Sequence, residues 1–332
     1  MSADDAGMMS ARPFAPGPTV SHEFSTMRAA AQRPPATCFA TRLAGAGLLA
    51  LAATSFCVPA AVARPKASAS ASSVTVDYDI ALAGLTIGTA QVAGAFEGSG
   101  YRVDVSARLT GLVGVVTGGM GSARAAGSVA SAPQPSTFAI ATKTSNSGIA
   151  VRMALARGNV TQAEITPPLV DLGDRVPITA ANKRGVIDPA SALVMPVQGR
   201  GDLMDPANCN RTLPIFDGAT RFDVSLSYGE TRSVEKAGYS GPVLVCNARY
   251  TPIAGHRPDR PGVKFMEDNR EMSVWLAPVE GTRVLLPIRI AVRTTVGSNI
   301  IEATRWTRTG GPQGGTHAAA PTGSTTQASL AQ

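Results

Sequence analysis

The sequence predicts a mainly β fold, a large curved antiparallel sheet or open half-barrel carrying one or two short helices. Three observations predict it. Apolar residues alternate with polar or small ones over many short runs, the period-two signature of strands with one wet face. Glycines, prolines and an Asn-Ser-Gly turn punctuate those runs at short spacing, which suits hairpins rather than helical crossovers. Hydrophobic residues are 44% of the 332 and charged residues 16%, enough for a sizeable core and too few charges for a disordered chain.

The elements follow in chain order. Val74, Val76, Tyr78, Ile80 and Leu82 alternate with smaller or polar residues and form the first strand. Gly84 turns the chain into a second strand at 86–96, and Glu97-Gly98-Ser99-Gly100 turns it into a third at 101–107. The character changes at 109–120, where Leu112, Val113, Val115 and Val116 bunch among glycines. This is a short helix packed on the sheet, or else a membrane-touching or cavity-plugging element. Strands resume at 122–129, 136–143, 149–157 and 160–165, each of ordinary strand length. Pro167-Pro168 ends this half and 169–186 reads as a loop. Asp188-Pro189-Ala190-Ser191-Ala192-Leu193 reads as a helix start, with Asp188 as N-cap and Pro189 in the first turn. Asp217-Gly218 marks a further turn. Strands at 221–228, 233–236 and 242–250 precede a Pro-rich loop at 251–262, and strands at 271–276, 284–294 and 298–306 complete the sheet.

The two ends differ from the middle. Basic flanks at Arg28, Arg33 and Arg42 precede an uncharged apolar run from Leu43 to Val58, followed by Ala61-Val62-Ala63. That order is a secretory signal peptide with a cut after Ala63. The run is short for a spanning helix and ends in a cleavage site, so no stable transmembrane anchor is expected. The expected organisation is a signal peptide with an N-terminal extension at 1–63, a small-residue linker at 64–73, a single β-rich domain at 74–308 and a disordered tail at 309–332. The expected localisation is periplasmic. Met27 is a second candidate start. Cys38 and Cys57 leave with the signal, so the mature chain keeps Cys209 and Cys246. Two cysteines in an exported protein pair as one disulfide.

Charge and chemistry narrow the function. The net charge is +7, but the basic residues are scattered, with no run longer than Lys183-Arg184. A nucleic-acid footprint clusters its cations and interleaves aromatics, so no nucleic-acid partner is expected. A mildly basic envelope protein facing anionic lipid or glycan fits better. The mature chain holds two histidines, His256 and His317. Ser233-Val234-Glu235-Lys236 has the serine–lysine spacing of penicillin-binding enzymes, but lies in a strand-like run and has no Lys-Thr-Gly companion. The spacing of Cys209, Cys246 and His256 fits no compact zinc set. No cofactor, metal or catalytic residue is expected. Arg289 inside Leu286-Pro287-Ile288-Arg289-Ile290 is an unusual cation in an apolar run, and Asp217, Arg249 and Arg289 form a candidate buried ionic set near the disulfide.

Several stretches together resemble the DUF3108 family of exported bacterial proteins. They are Tyr78-Asp79-Ile80-Ala81-Leu82-Ala83-Gly84 with Gly88; Asp188 to Leu193; Cys209; Phe216-Asp217-Gly218 with Arg221-Phe222-Asp223; Cys246-Asn247-Ala248-Arg249 with Pro252-Ile253-Ala254-Gly255; and Leu286 to Ile290. The resemblance covers about 75–307. It implies a β-rich envelope protein and carries no activity or catalytic residue. A more distant similarity is to LolA/LolB-like lipoprotein carriers, in which a curved antiparallel sheet half-wraps an apolar cavity plugged by short helices. That similarity implies a non-enzymatic protein binding an envelope lipid or lipoprotein acyl chain in the concave face of its sheet, with Leu112, Val113, Val115 and Val116 as the ligand plug. Two other readings stand beside it. One is an envelope enzyme acting on glycan or peptide through Asp217, His256, Arg249 or Arg289. The other is an assembly module of the envelope.

Overall fold

The computed structural model describes residues 71–170 and 173–309, without the side chains of Leu112 and Val116. The expected signal peptide, its cut site, most of the linker and the tail lie outside the described residues. The first half is a meander: β1 (Ser72–Leu82), β2 (Leu85–Glu97), β3 (Gly100–Leu109), helix α1 (Gly111–Thr117), β4 (Met120–Val129), β5 (Pro133–Lys143), β6 (Gly148–Ala156) and β7 (Asn159–Thr166). The alternation in the sequence sets its inner face. Val74, Val76 and Tyr78 of β1 are buried, as are Tyr101 and Val103 of β3 and Val151, Met153 and Leu155 of β6.

The second half adds β8 (Met195–Pro196), β9 (Arg211–Phe216), β10 (Arg221–Lys236), β11 (Tyr239–Ala254), helix α2 (Pro261–Asp268), β12 (Met272–Val279), β13 (Val284–Thr294) and β14 (Gly297–Thr309). All pair antiparallel in one curved sheet of order β7-β6-β5-β4-β3-β2-β1-β14-β13-β12-β11-β10-β9, with β8 beside β13. The sheet does not close strand to strand. A short tie joins its two edges instead: Val186 N–H donates to Gly158 O at 2.7 Å, and Ile187 N–H to Pro214 O at 2.9 Å. Phe216 of β9 accordingly joins Phe138, Val151 and Met153 in one cluster. Gly218, at φ 99°, follows Phe216, and a Cβ there would overlap Val151 Cγ1. That close approach is open only to glycine.

Three local readings change. The runs 221–228 and 233–236 are one strand, β10, interrupted by a bulge between Tyr228 and Glu230; the bulge disrupts the alternation that the sequence shows. The loop expected at 251–262 is shorter, 255–260: β11 runs on to Ala254, and α2 begins with Pro261 in its first turn. The expected helix at 188–193 is a single 3-10 turn at Ser191–Leu193. Asp188 caps it in the expected way, accepting from the N–H groups of Ala190 and Ser191 at 2.9 and 2.8 Å.

The interior is filled from within the chain. β13 pairs with β14 only from Arg289 onward, and β11 pairs with β12 only over Leu244–Asn247. The distal half of the β12–β13 hairpin thus leaves the sheet and is buried on both faces. Val284, Leu286 and Ile288 pack with Val74, Val76, Val92 and Val103. Leu285 faces the other way, into a cluster with Cys209, Cys246, Leu244 and Leu276. The place vacated beside β14 is taken by the tip of the β10–β11 hairpin, where Trp306 N–H donates to Ala237 O at 2.7 Å and Tyr239 lies 5.4 Å from the Trp306 ring. Among the described residues, no helix is long and apolar enough to cross a membrane.

Candidate functional site

Segment 189–195 lies over β9–β13 and leaves an apolar cavity of about 220 Å³ between them. The strand alternation that buries Leu244 and Cys246 also brings Leu226, Ala248, Val274 and Ile290 to this face. Of the residues lining the cavity, Ser273 alone carries a polar side chain. Leu213, Leu226 and Ala248 are buried, whereas Leu193, Val224, Met272, Ile290 and Val292 are half-buried, so the cavity opens to solvent on an apolar lip. A larger cleft of about 750 Å³ at the opposite end of the sheet is lined by turns. Its one charged group, Arg283, donates from Nε to Val197 O at 3.3 Å and from a terminal nitrogen to Gly201 O at 2.8 Å, so it serves to hold that loop.

A buried polar chain fixes the wall of the apolar cavity. Ser191 Oγ donates to Asp188 Oδ2 at 2.5 Å, and the Tyr101 hydroxyl lies 2.6 Å from Ser191 Oγ. The serine proton is engaged by the carboxylate, so the tyrosine is the donor of the second bond. Asp188 and Ser191 are fully buried and Tyr101 nearly so. Burial pushes the Asp188 carboxyl above the ordinary carboxylate range, opposed by its hydrogen bonds from Ser191 and Ala190. Burial also pushes the Tyr101 hydroxyl up. These groups hold the 188–193 segment to β3 across the interior and do not open into the cavity lining.

The disulfide forms as expected. Cys209 and Cys246 are joined, with Cα atoms 5.5 Å apart, and both are fully buried. The bond ties a 3-10 turn, Pro206–Cys209, to the middle of β11.

The expected ionic set does not assemble. Asp217 accepts from the Ala219 and Thr220 N–H groups at 2.8 and 2.6 Å and from Thr220 Oγ1 at 2.6 Å; its oxygens are engaged in its own turn, as short polar residues favour. Arg249 is exposed on β11 opposite Ser225. Arg289 pairs with Glu302, which also receives Lys236 Nζ at 2.6 Å. The guanidinium groups of Arg232 and Arg289 each lie 5.1 Å from the Trp275 ring centroid. Trp275, Arg289 and Glu302 face one another in register across β12, β13 and β14, and the β10–β11 hairpin brings Arg232 and Lys236 to that row. The row is a clamp for the hairpin. It was invisible in the sequence because it depends on register, and Arg289 was its one visible sign. His256, the remaining enzymatic candidate, accepts from Val176 N–H at 2.9 Å through its backbone, beside the Arg257–Asp174 pair. Among the described residues no cluster of His, Cys, Asp or Glu is placed to hold a metal.

The expected plug is corrected as well. Leu112, Val113, Val115 and Val116 lie on α1, the connection between β3 and β4. Val113 and Val115 are exposed, Val115 by 85%; the side chains of Leu112 and Val116 are outside the description. The space inside the curl is occupied by 186–197 and the β12–β13 hairpin, whose continuous apolar run lacks the period of either a one-faced strand or a helix.

No curated protein matches the chain. A solved structure described as a beta-barrel-like protein of domain of unknown function DUF1849 from Brucella abortus is similar over 70% of this chain and 96% of its own, at 10% identity and a TM-score of 0.40. A model of a protein family of unknown function, DUF3108, matches residues 77–304. That match takes in every strand from β2 to β13, and the chain belongs to the DUF3108 family.

Proposed function

We propose that this protein is an exported, non-enzymatic envelope protein that takes one apolar group of a lipid or lipoprotein, an acyl segment, into the cavity between segment 189–195 and β9–β13. The observation that carries the reading is an open cavity lined almost wholly by apolar side chains. Apolar surface left half-wet is retained where something covers it. Size limits the ligand: an apolar cavity of about 150 Å³ holds benzene, so 220 Å³ takes one ring or a short run of methylenes and leaves the rest of an amphipathic molecule outside. Export rests on the basic, apolar and Ala-x-Ala order of residues 28–63. The non-enzymatic reading is supported by the engagement of Asp217 in its turn and of Arg289 with Glu302.

The test is binding of a fluorescent fatty-acid probe to the purified protein, with mass spectrometry of co-purifying lipid. Ala248→Phe places a ring in the cavity from a buried wall position. The wild type should bind the probe and the variant should lose about tenfold or more in affinity. Wild-type protein that neither binds probe nor carries lipid would overturn the proposal. So would an Ala248→Phe protein that melts like wild type and binds the probe equally well.

A further inference from the structure

We infer that one end of the sheet is a docking face for an anionic lipid bilayer, an inference that rests on the cavity reading and gives the cavity its source of ligand. In an antiparallel sheet alternate connections fall at the same end. The β1–β2, β3–β4, β5–β6 and β13–β14 connections share one end with the starts of β10 and β12. Among the described residues nine large apolar side chains are exposed, and eight of them are at that end. Leu85 is exposed by 71%, Val115 by 85%, Met120 by 58% and Val296 by 68%, with Val113 beside them. Leu169, Val170 and Ile253 continue the rim, and only Tyr228, within β10, lies elsewhere. The turns at the opposite end hold glycine, serine, alanine, threonine and charged residues: 98–99, 130–132, 157–158, 237–238 and 280–283. Single exposed apolar residues are ordinary, but their gathering at one end is a surface with a partner.

Charge identifies the partner. Arg108 at the end of β3, Lys143 at the end of β5 and Arg293 near the end of β13 are all exposed. Residues 80–96, 105–123, 139–149 and 294–301, which make the four connections and their flanks, contain no carboxylate; the carboxylates of this end gather on the far side, at Glu267 and Asp268 of α2 and at Glu271, whose backbone oxygen accepts from Arg293 N–H at 3.0 Å. Apolar tips ringed by cations match the boundary of an anionic leaflet, where side chains enter the acyl region and Lys or Arg meets the headgroups. A protein partner would not by itself require an arc lacking acids. The arrangement is also continuous with the cavity. Met272, Ala291 and Val292 line it at this end, and β13 runs from Val292 into the turn bearing Val296. The open side of the cavity thus faces the same end as the exposed tips.

Flotation with phosphatidylcholine–phosphatidylglycerol vesicles tests this. The wild type is compared with Leu85→Glu/Val115→Glu/Val296→Glu and with Tyr228→Glu, all in the same purified chain, so that any contribution of residues 43–58 is common to them. The triple variant should partition at least about tenfold less than wild type, Tyr228→Glu should match wild type, and added salt should weaken binding. Uptake of the fatty-acid probe in the absence of vesicles should be equal in all three. A wild type that takes up probe but ignores vesicles, or a triple variant that floats like wild type, overturns the docking face and leaves the cavity reading intact. Vesicle binding without probe uptake overturns the cavity reading instead. Equal binding to pure phosphatidylcholine removes the anionic assignment. If light scattering shows a dimer that the triple variant breaks while vesicles are ignored, the end is a contact between copies and the inference fails.

Discussion

Removing the hydroxyl of Ser191 should destabilise the fold more than its size suggests. The hydroxyl joins Asp188 Oδ2 to the Tyr101 hydroxyl, both buried. Ser191→Ala leaves the tyrosine hydroxyl without an acceptor and takes one hydrogen bond from a buried carboxylate, and each loss costs about 1–3 kcal/mol. The expected total is about 3–4 kcal/mol, a large share of an ordinary domain's stability. Tyr101→Phe removes its own unsatisfied group along with the bond, and Ser191 Oγ keeps Asp188, so the expected loss is about 1 kcal/mol. In the Ser191→Ala/Tyr101→Phe double variant the orphaned hydroxyl is gone, and the cost should fall below the sum of the single changes by about 1–2 kcal/mol. Denaturant unfolding with an unchanged slope is the assay. A Ser191→Ala loss no greater than that of Tyr101→Phe, or strict additivity, would refute the reasoning. It would mean that the chain does not organise the 188–193 wall.

Two further outcomes follow from buried groups. Reducing the Cys209–Cys246 bond, or replacing both cysteines by serine, releases a loop closed over a sequence separation of 37; chain entropy puts the loss at about 4 kcal/mol, to be read as a lower unfolding midpoint under reducing conditions, and an unchanged midpoint counts against it. Asp188 holds its proton more tightly folded than unfolded, because its carboxyl is raised by burial. Its charge therefore costs stability above its folded pKa, and that cost fades as pH falls through the folded value toward the ordinary one, about 3.9. Asp188→Asn should remove this part of the pH dependence, seen as a flatter plot of unfolding midpoint against pH on the acid side, down to about 4; parallel plots would count against it.

What the sequence showed and what it hid divide along a physical line. Strands with one wet face were legible, since Val74, Val76 and Tyr78 carry their period in the chain itself. The disulfide was legible because the expected cut after Ala63 sets Cys38 and Cys57 aside and leaves Cys209 and Cys246 as the pair. The β12–β13 hairpin was legible as strands but not as filler, since burial on both faces leaves a continuous run such as 284–288 with no period to interpret. The row of Trp275, Arg289 and Glu302 needed the register of three strands, and the cavity needed the path of 186–197. Asp217, prominent in the sequence, has its place in the turn beside the β9 edge. Val115 was visible as apolar but not as exposed, because a helix of seven residues has too few positions to show which face is dry.

The filled interior also bounds what the protein can hold. A carrier that admits a whole lipid under its sheet would have to expel the β12–β13 hairpin. Val284, Leu285, Leu286 and Ile288 are each at most 4% exposed, and exposing them costs about 2 kcal/mol apiece, or about 8 kcal/mol together. A buried methylene returns about 0.8 kcal/mol, so about ten would be needed to offset that loss before any binding appeared. The cavity of 220 Å³ has no room for that number alongside the hairpin. The hairpin therefore stays in place, and the proposed ligand would be held by one short apolar segment with its remainder along the half-wet lip at Met272 and Val292. A molecule held so shallowly would stay partly in its source, and this is what links the proposed docking rim to the proposed cavity.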